Sequence, residues 1–143
     1  MNNAKARCGR VVAAAAFIGS VLGALVSPAG AHHSFSAEFD INKPIKLMGA
    51  VTEMRWSNPH AWIYIDVKSA DGKVVNWAVE LSAANQLYRR GWRREDVVVG
   101  AVVTVEGWLA RNGTPTVNAN TGLIQLPDGR KLSGGAPGET GPR

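Results

Sequence analysis

Cysteine is nearly absent from this sequence. Its 143 residues contain one, Cys8, in an amino-terminal segment that we expect to be removed. The mature chain then has no disulfide and no thiolate for catalysis or metal binding. The sequence also lacks a His-Glu-x-x-His pair, a Gly-x-Ser-x-Gly elbow and a phosphate-binding loop. These absences favour a binding or accessory protein over an enzyme. A copper-dependent oxidase is a third, weaker alternative, because no substrate is identifiable.

Residues 1–31 have the three parts of a secretory signal peptide. Lys5, Arg7 and Arg10 are basic, residues 11–26 are apolar, and Ala29-Gly30-Ala31 is a small-x-small cleavage site. The apolar run is short for a membrane-spanning helix, which needs about 20 residues. We expect cleavage after Ala31 and a periplasmic or secreted protein without a membrane span; a retained anchor is the alternative.

Cleavage also changes the charge. Losing the three basic residues of the signal lowers the net charge from +5 to +2. The pI of about 9.8 is therefore partly a property of the signal, which argues against a nucleic-acid partner. A small ligand or a periplasmic protein is the expected partner. After the signal, we expect an arm over 32–44, one domain over 45–132, and a Gly/Pro-rich disordered tail over 133–143.

Alternating apolar and polar residues predict five strands, at 45–56, 61–68, 74–81, 101–110 and 117–126. The apolar parity switches within the first, near Gly49, which predicts a bend or bulge. The last is interrupted near Asn120-Thr121-Gly122. Asp71-Gly72 is a hairpin signal between the second and third strands.

One short helix is predicted over 83–90, with Ser82 as its N-cap and Gly91 at its C′ position. The order of elements is therefore β-β-β-α-β-β. This is the order of the OB fold, so the fold class is all-β with one short helix, in a small five-stranded OB-like barrel. A small open β-sandwich is the alternative.

Several motifs occur in a characteristic order. They are His32-His33-Ser34-Phe35, Glu38-Phe39-Asp40, Trp56-Ser57-Asn58-Pro59-His60, Trp77-Ala78-Val79-Glu80 and Leu87-Tyr88-Arg89-Arg90-Gly91-Trp92. Together they resemble a family of small exported bacterial proteins of unknown function. The resemblance implies export and a single domain, and it leaves the activity open.

The histidines form a candidate metal site. Cleavage after Ala31 gives His32 a free α-amine, and this amine and the ring Nδ1 can chelate one metal ion. Such an amine has a pKa of about 7.7–8.0, so a metal can displace its proton near neutral pH. His33 or His60 would supply a third nitrogen, and three nitrogens suit Cu(II).

Two alternatives to this chelate stay open. His33, as the second residue, binds copper through the amine, a deprotonated amide and its imidazole. Otherwise His32 and His33 are simply a polar start of the chain, and His60 is a turn residue bonded to the backbone.

A second candidate site is an aromatic face. The alternation predicts that Trp62 and Tyr64 point outward from the second strand, near the two rim loops that contain Asn58 and Arg111. Such a face would bind a polar ligand or a protein partner. The alternative, which we favour, is that Phe35 and Phe39 of the arm or a second subunit cover it, because exposed aromatic patches are rare on monomers.

Two further features are ambiguous. The arginines of 89–94 either meet phosphate groups or form a solvated helix end, which is the interpretation we favour. Glu80, a lone acid on the third strand, is expected to pair with a cationic side chain.

Overall fold

Alternating apolar residues build five strands and join them into a closed barrel. The structure is a computed structural model, and it describes residues 35–135. The barrel strands are β1 (Phe39–Arg55), β2 (Trp62–Lys68), β3 (Val74–Glu80), β4 (Val102–Ala110) and β5 (Thr116–Asn118). The other elements are α1 (Phe35–Glu38), α2 (Ala84–Arg89), a 3-10 turn (Arg94–Asp96), β6 (Leu123–Gln125) and β7 (Lys131–Ser133).

The strand pairing confirms the predicted OB-like barrel. β1 pairs antiparallel with both β2 and β4, and β3 pairs parallel with β5, so the order β1-β2-β3-β5-β4 returns to β1. The helix α2 lies between β3 and β4 in the chain, as the OB order requires. The open sandwich is therefore not the fold.

The first strand, β1, pairs with two neighbours because it is long and changes direction at an irregularity. Its register with β2 shifts between Val51 and Glu53, which confirms the predicted bulge. β1 begins at Phe39, six residues before the predicted start at Ile45. Phe39 is 4% exposed and pairs with Ala110 of β4, so the second half of the predicted arm belongs to the sheet.

The core is the inside of the barrel. Inward-facing side chains from the central parts of the strands fill it, including Ile63, Ile65, Val79 and Val105, each 0% exposed. Burying a residue of this size stabilises the fold by about 1.5–3 kcal/mol. Trp92 joins the same cluster, and its indole Nε1 donates to the Ser133 carbonyl at 2.9 Å. This bond connects the segment after α2 to β7.

The start of α2 differs from the prediction. Ser82 is not its N-cap: Ala83 occupies that position, and no side chain caps the helix. The Ser57 carbonyl instead accepts the Ala84 N–H at 3.0 Å, so the loop before β2 satisfies one of the free N–H groups at the start of the helix. The predicted end is confirmed, since Gly91 has φ of 92° and the Trp92 N–H donates to the Leu87 carbonyl.

The carboxyl-terminal strands show where the fold extends the minimal barrel. The predicted fifth strand is broken, as expected, into β5 and β6, and β6 continues into a hairpin with β7 that was not predicted. Ser133, the first residue of the expected tail, lies in β7, and the Gly134 carbonyl accepts the Ser82 N–H at 3.0 Å. Residues 136–143 lie outside the described range.

Among residues 35–135, no helix has the length and apolar character needed to cross a membrane. The expected signal peptide and the arm up to residue 34 are likewise outside the described residues.

Candidate functional site

His60 lies where the β1–β2 loop enters β2, beside the end of β3. Its ring Nδ1 is 3.1 Å from Glu80 Oε1 and 3.2 Å from the Leu81 carbonyl oxygen. The Glu80 side chain is 9% exposed and that of His60 is 44% exposed. The expectation that Glu80 pairs with a cationic side chain thus points to His60, whose ring is cationic when protonated.

The contact with Leu81 fixes which ring nitrogen carries the proton. A carbonyl oxygen only accepts hydrogen bonds, so Nδ1 of His60 is the donor. In the neutral ring, Nε2 then has the lone pair, and none of the described residues bonds to it. A carboxylate behind an imidazole in this way is the usual outer partner of a metal-binding histidine. The same bond matches the alternative in which His60 is a turn residue bonded to backbone.

Glu80 belongs to a line of residues across the outside of the barrel, which we call the outer row. Directly paired residues share one face of a sheet, and the pairs Trp62–Glu80, Glu80–Asn118 and Asn118–Trp108 run in sequence across four strands. Glu80 and Asn118 are 7% and 3% exposed although they point away from the core. The outer row is therefore a covered polar surface rather than an open one.

The helix α1 lies at one end of the outer row. The ring of Phe35 meets the ring of Trp108 edge-on, at 5.9 Å between centroids. Arg111, at the β4–β5 turn, holds the same segment, because its Nε donates to the carbonyls of Ser36 at 2.9 Å and Phe39 at 3.1 Å. Arg111 was predicted as a ligand-binding residue, and the structure gives its guanidinium partners in the arm.

The candidate metal ligands are only partly described. His32 and His33 precede the described range, and within residues 35–135 no group of three or more His, Cys, Asp or Glu side chains is arranged to hold a metal. His60 and Glu80 are the part of the candidate site that the structure positions.

The aromatic face agrees with the alternation of β2. Trp62 and Tyr64 are half-buried and lie on the outward side, opposite Ile63 and Ile65. The Arg55 guanidinium covers one face of the Tyr64 ring, 4.7 Å from its centroid. That guanidinium also hydrogen-bonds Glu53, which lowers the pKa of the Glu53 carboxyl. Stacking of a ligand on Tyr64 would therefore compete with Arg55.

Asn58 faces a different surface, which we call the α2 groove. This open groove of about 450 Å³ lies between the β1–β2 loop and α2, and its lining consists of Trp56, Ser57, Asn58, Ala84, Asn85, Tyr88 and Arg89. The Asn58 Oδ1 accepts the Asn85 N–H at 3.4 Å, which ties the loop to the helix. Sequence reasoning did not connect Asn85, Tyr88 and Arg89 with Asn58, because the loop and the helix are far apart in the chain.

Comparison with known proteins gives a family and no activity. Residues 21–119 match the family described as a "family of unknown function (DUF6152)". The chain belongs to this family. The matched range includes all four residues of the outer row and ends before β6. No curated protein and no solved structure matches the chain.

Proposed function

We propose that this protein is an exported, non-enzymatic binding or accessory protein that holds a copper ion through its mature amino terminus and His60. The proposal is supported by the hydrogen bonding of the His60 ring. Glu80 and the Leu81 carbonyl engage Nδ1, so Nε2 is left as a ligand nitrogen. A ring oriented by a buried carboxylate needs little rearrangement to bind a metal.

The chemistry of the amino terminus supplies the remaining ligands. After cleavage behind Ala31, the α-amine and Nδ1 of His32 form a two-nitrogen chelate, with His33 as the alternative ligand if cleavage shifts by one residue. Adding Nε2 of His60 gives three nitrogen ligands. Cu(II) binds such a set more tightly than other divalent first-row metals.

The length of the chain permits this combination. Phe35 packs on Trp108, and Trp108 is separated from Glu80 by the single strand β5. Two strand spacings amount to about 10 Å, at 4.7–4.9 Å each. The three residues from His32 to Phe35 span about 10 Å when extended, and the side chains add further reach.

The test combines the mature mass with a copper titration. The chain is expressed with its own signal, its intact mass is measured, and Cu(II) binding is followed by electron paramagnetic resonance. We expect a mature chain that starts at His32 or His33 and a nitrogen-ligated copper signal that changes in His60→Ala. His33→Gln distinguishes the two amino-terminal alternatives.

A single residue added before the mature terminus serves as the decisive variant. It blocks the amine chelate without changing the domain, so its urea unfolding midpoint should equal that of the parent. Copper binding that survives this addition unchanged contradicts the proposal, as does a mature chain that begins at any other residue.

A second candidate is supported by the outward aromatics of β2. Trp62 and Tyr64 lie on the face that OB folds use for ligands, so the module would bind a polar ligand or a protein partner there. Of the predicted rim residues, Asn58 faces the α2 groove and Arg111 bonds the arm. Binding of a non-metal ligand that is lost in Trp62→Ala and retained in His60→Ala would favour this function over copper binding.

A further inference from the structure

Next to the α2 groove lies a cluster of arginines whose guanidinium groups form no ion pair with a carboxylate in residues 35–135. Three arginines elsewhere in residues 35–135 lie near carboxylates: Arg55 near Glu53, Arg111 near Asp40, and Arg130 near Asp96 and Asp128. The four arginines in and after α2 have no carboxylate partner within the same range. They are Arg89, Arg90, Arg93 and Arg94.

One of these four lines the groove, and a second contacts a lining residue. Arg89 is one of its lining residues and is exposed. Arg93 lies over the ring of Tyr88, 4.2 Å from its centroid, and donates to the carbonyls of Tyr88 at 3.2 Å and Trp92 at 2.8 Å. The guanidinium contacts neutral groups, whereas the Arg93 backbone N–H donates to Asp96 Oδ2 at 2.6 Å, so a carboxylate lies close to this arginine. Arg90 even has one Nη atom buried without an acceptor among the described residues.

The groove also presents oriented amides and flat apolar surface. The Asn58 Oδ1 is occupied by the Asn85 N–H, which leaves the Asn58 Nδ2 as a donor and the Asn85 side chain as both donor and acceptor. Trp56 and Tyr88 contribute the aromatic walls. Because the loop is bonded to α2 at Ala84 and Asn85, these groups are already arranged before any ligand arrives.

We infer that the α2 groove binds an anionic saccharide, that is, a sugar ring with a carboxylate or a phosphate. Arg89 pairs with the anionic group through charge-assisted hydrogen bonds. The amides of Asn58 and Asn85 bond the hydroxyls, and the apolar face of the sugar packs on Trp56. The groove combines two aromatic side chains with the polar side chains of Ser57, Asn58, Asn85 and Arg89. Small-ligand sites likewise combine apolar walls with placed polar groups.

A nucleotide fits this groove less well than a sugar. Base binding relies on stacking against an open aromatic face. Here the Arg93 guanidinium covers one face of Tyr88, and Trp56 is partly buried against the core. A sugar ring needs only the smaller apolar surface that remains.

The experiment is a calorimetric titration of the mature protein, without added metal, at low and high salt. The probes are a galacturonic acid trimer, glucose 6-phosphate, the neutral trimer maltotriose and adenosine monophosphate. We expect at least one anionic saccharide to bind, maltotriose not to bind, and the affinity to fall as salt increases. Binding of the uronate alone or of the phosphate alone supports the inference and identifies the source of the anionic group.

Variants locate the site. Arg89→Gln should weaken binding about tenfold, the loss expected for one charge-assisted hydrogen bond, and Tyr88→Ala should weaken it as well. Arg130→Gln is the matched control, since it removes an arginine that is already paired. Unfolding midpoints are measured for all three. Failure of both anionic saccharides to bind overturns the inference, as does equal weakening by Arg89→Gln and Arg130→Gln, or tighter binding of adenosine monophosphate than of either sugar.

Copper binding and saccharide binding can be tested separately with single variants. The inference does not rest on the proposed copper function, because no groove residue is among its ligands. His60→Ala should leave saccharide binding unchanged, and Arg89→Gln should leave the copper spectrum unchanged.

Discussion

The loop of residues 57–60 separates two regions that differ in how completely their polar groups are satisfied. On one side, His60 donates to Glu80 and the Leu81 carbonyl, and the neighbouring polar residues Glu80 and Asn118 are buried. On the other side, Ser57 and Asn58 face an open groove whose arginine has no carboxylate among the described residues.

This difference separates two ways of preparing a site. Beside the outer row, Glu80 and the Leu81 carbonyl engage one nitrogen of the His60 imidazole and leave the other nitrogen for a ligand. In the α2 groove, Arg89 forms no ion pair with a carboxylate among the described residues, so its charge is available to an anionic ligand. A metal ion suits the first arrangement, since an outer carboxylate orients its ligand, and an anion suits the second.

The largest expected effect comes from Gly107, a residue of β4 that lies beneath the outer row. Its substitution should disturb the outer row and leave the α2 groove intact. A Cβ added there would clash with the Asn118 carbonyl oxygen and would lie 2.6 Å from a Val117 methyl group. Gly107→Ala therefore pushes β5 away from β4, and we expect it to lower the free energy of unfolding by about 1–3 kcal/mol in urea titrations.

Copper affinity should fall in the same variant, since Asn118 lies next to Glu80, while saccharide binding in the α2 groove should persist. Gly72→Ala is the control: nothing lies within 4 Å of its added Cβ, so its cost is backbone strain at a distant turn. If Gly107→Ala weakened both binding activities equally, the two regions would not be independent.

Glu80→Gln changes the region around His60 with a smaller expected effect on stability than Gly107→Ala. The amide retains an oxygen that accepts from His60 but loses the negative charge behind the ring. We expect copper affinity, measured by competition with a chelator, to fall by about tenfold or more, as for other outer partners of metal ligands. Glu106→Gln, which removes a surface carboxylate paired with Lys46, should leave it unchanged. Unchanged copper affinity in folded Glu80→Gln would show that the carboxylate does not tune His60.

Particular residues show what the sequence can predict here. The alternation of Ile63 and Ile65 with Trp62 and Tyr64 predicts β2 and its outward face, because burial in a strand repeats every two residues. The bulge near Val51 is likewise visible as a parity switch. These local patterns and the order of the elements favour the barrel over the open sandwich, and the pairing of β1 with β4 decides between them.

Other features depend on contacts that join distant segments. Ser82 has the chemistry of an N-cap, yet it is buried and its N–H is used by Gly134, while the Ser57 carbonyl receives the first N–H of α2. The pairing of Glu80 with His60 and the meeting of Asn58 with Asn85 both depend on how the barrel closes. No local pattern encodes those juxtapositions.

The smallest expected effect concerns acid. The hydrogen bond from Arg130 lowers the pKa of the Asp128 carboxyl in the folded protein. This pair therefore contributes stability above the ordinary Asp pKa, and the contribution is lost as pH falls through the lowered folded value. We expect the urea midpoint of the parent to fall slightly more steeply on acidification than that of Asp128→Asn.

Arg89→Gln provides the contrast for this measurement. Because Arg89 has no carboxylate partner among the described residues, its removal should leave the acid dependence parallel to that of the parent. Parallel curves for Asp128→Asn and the parent would contradict the link between paired charge and acid stability.

Trp92 gives the molecule a natural optical probe. It is 1% exposed and hydrogen-bonded to Ser133, whereas the other four tryptophans are partly exposed. Detachment of the β6–β7 hairpin would admit water to this one indole and shift its emission to the red. In a chain whose other tryptophans are replaced by phenylalanine, fluorescence then follows the attachment of the last strands separately from the unfolding of the barrel.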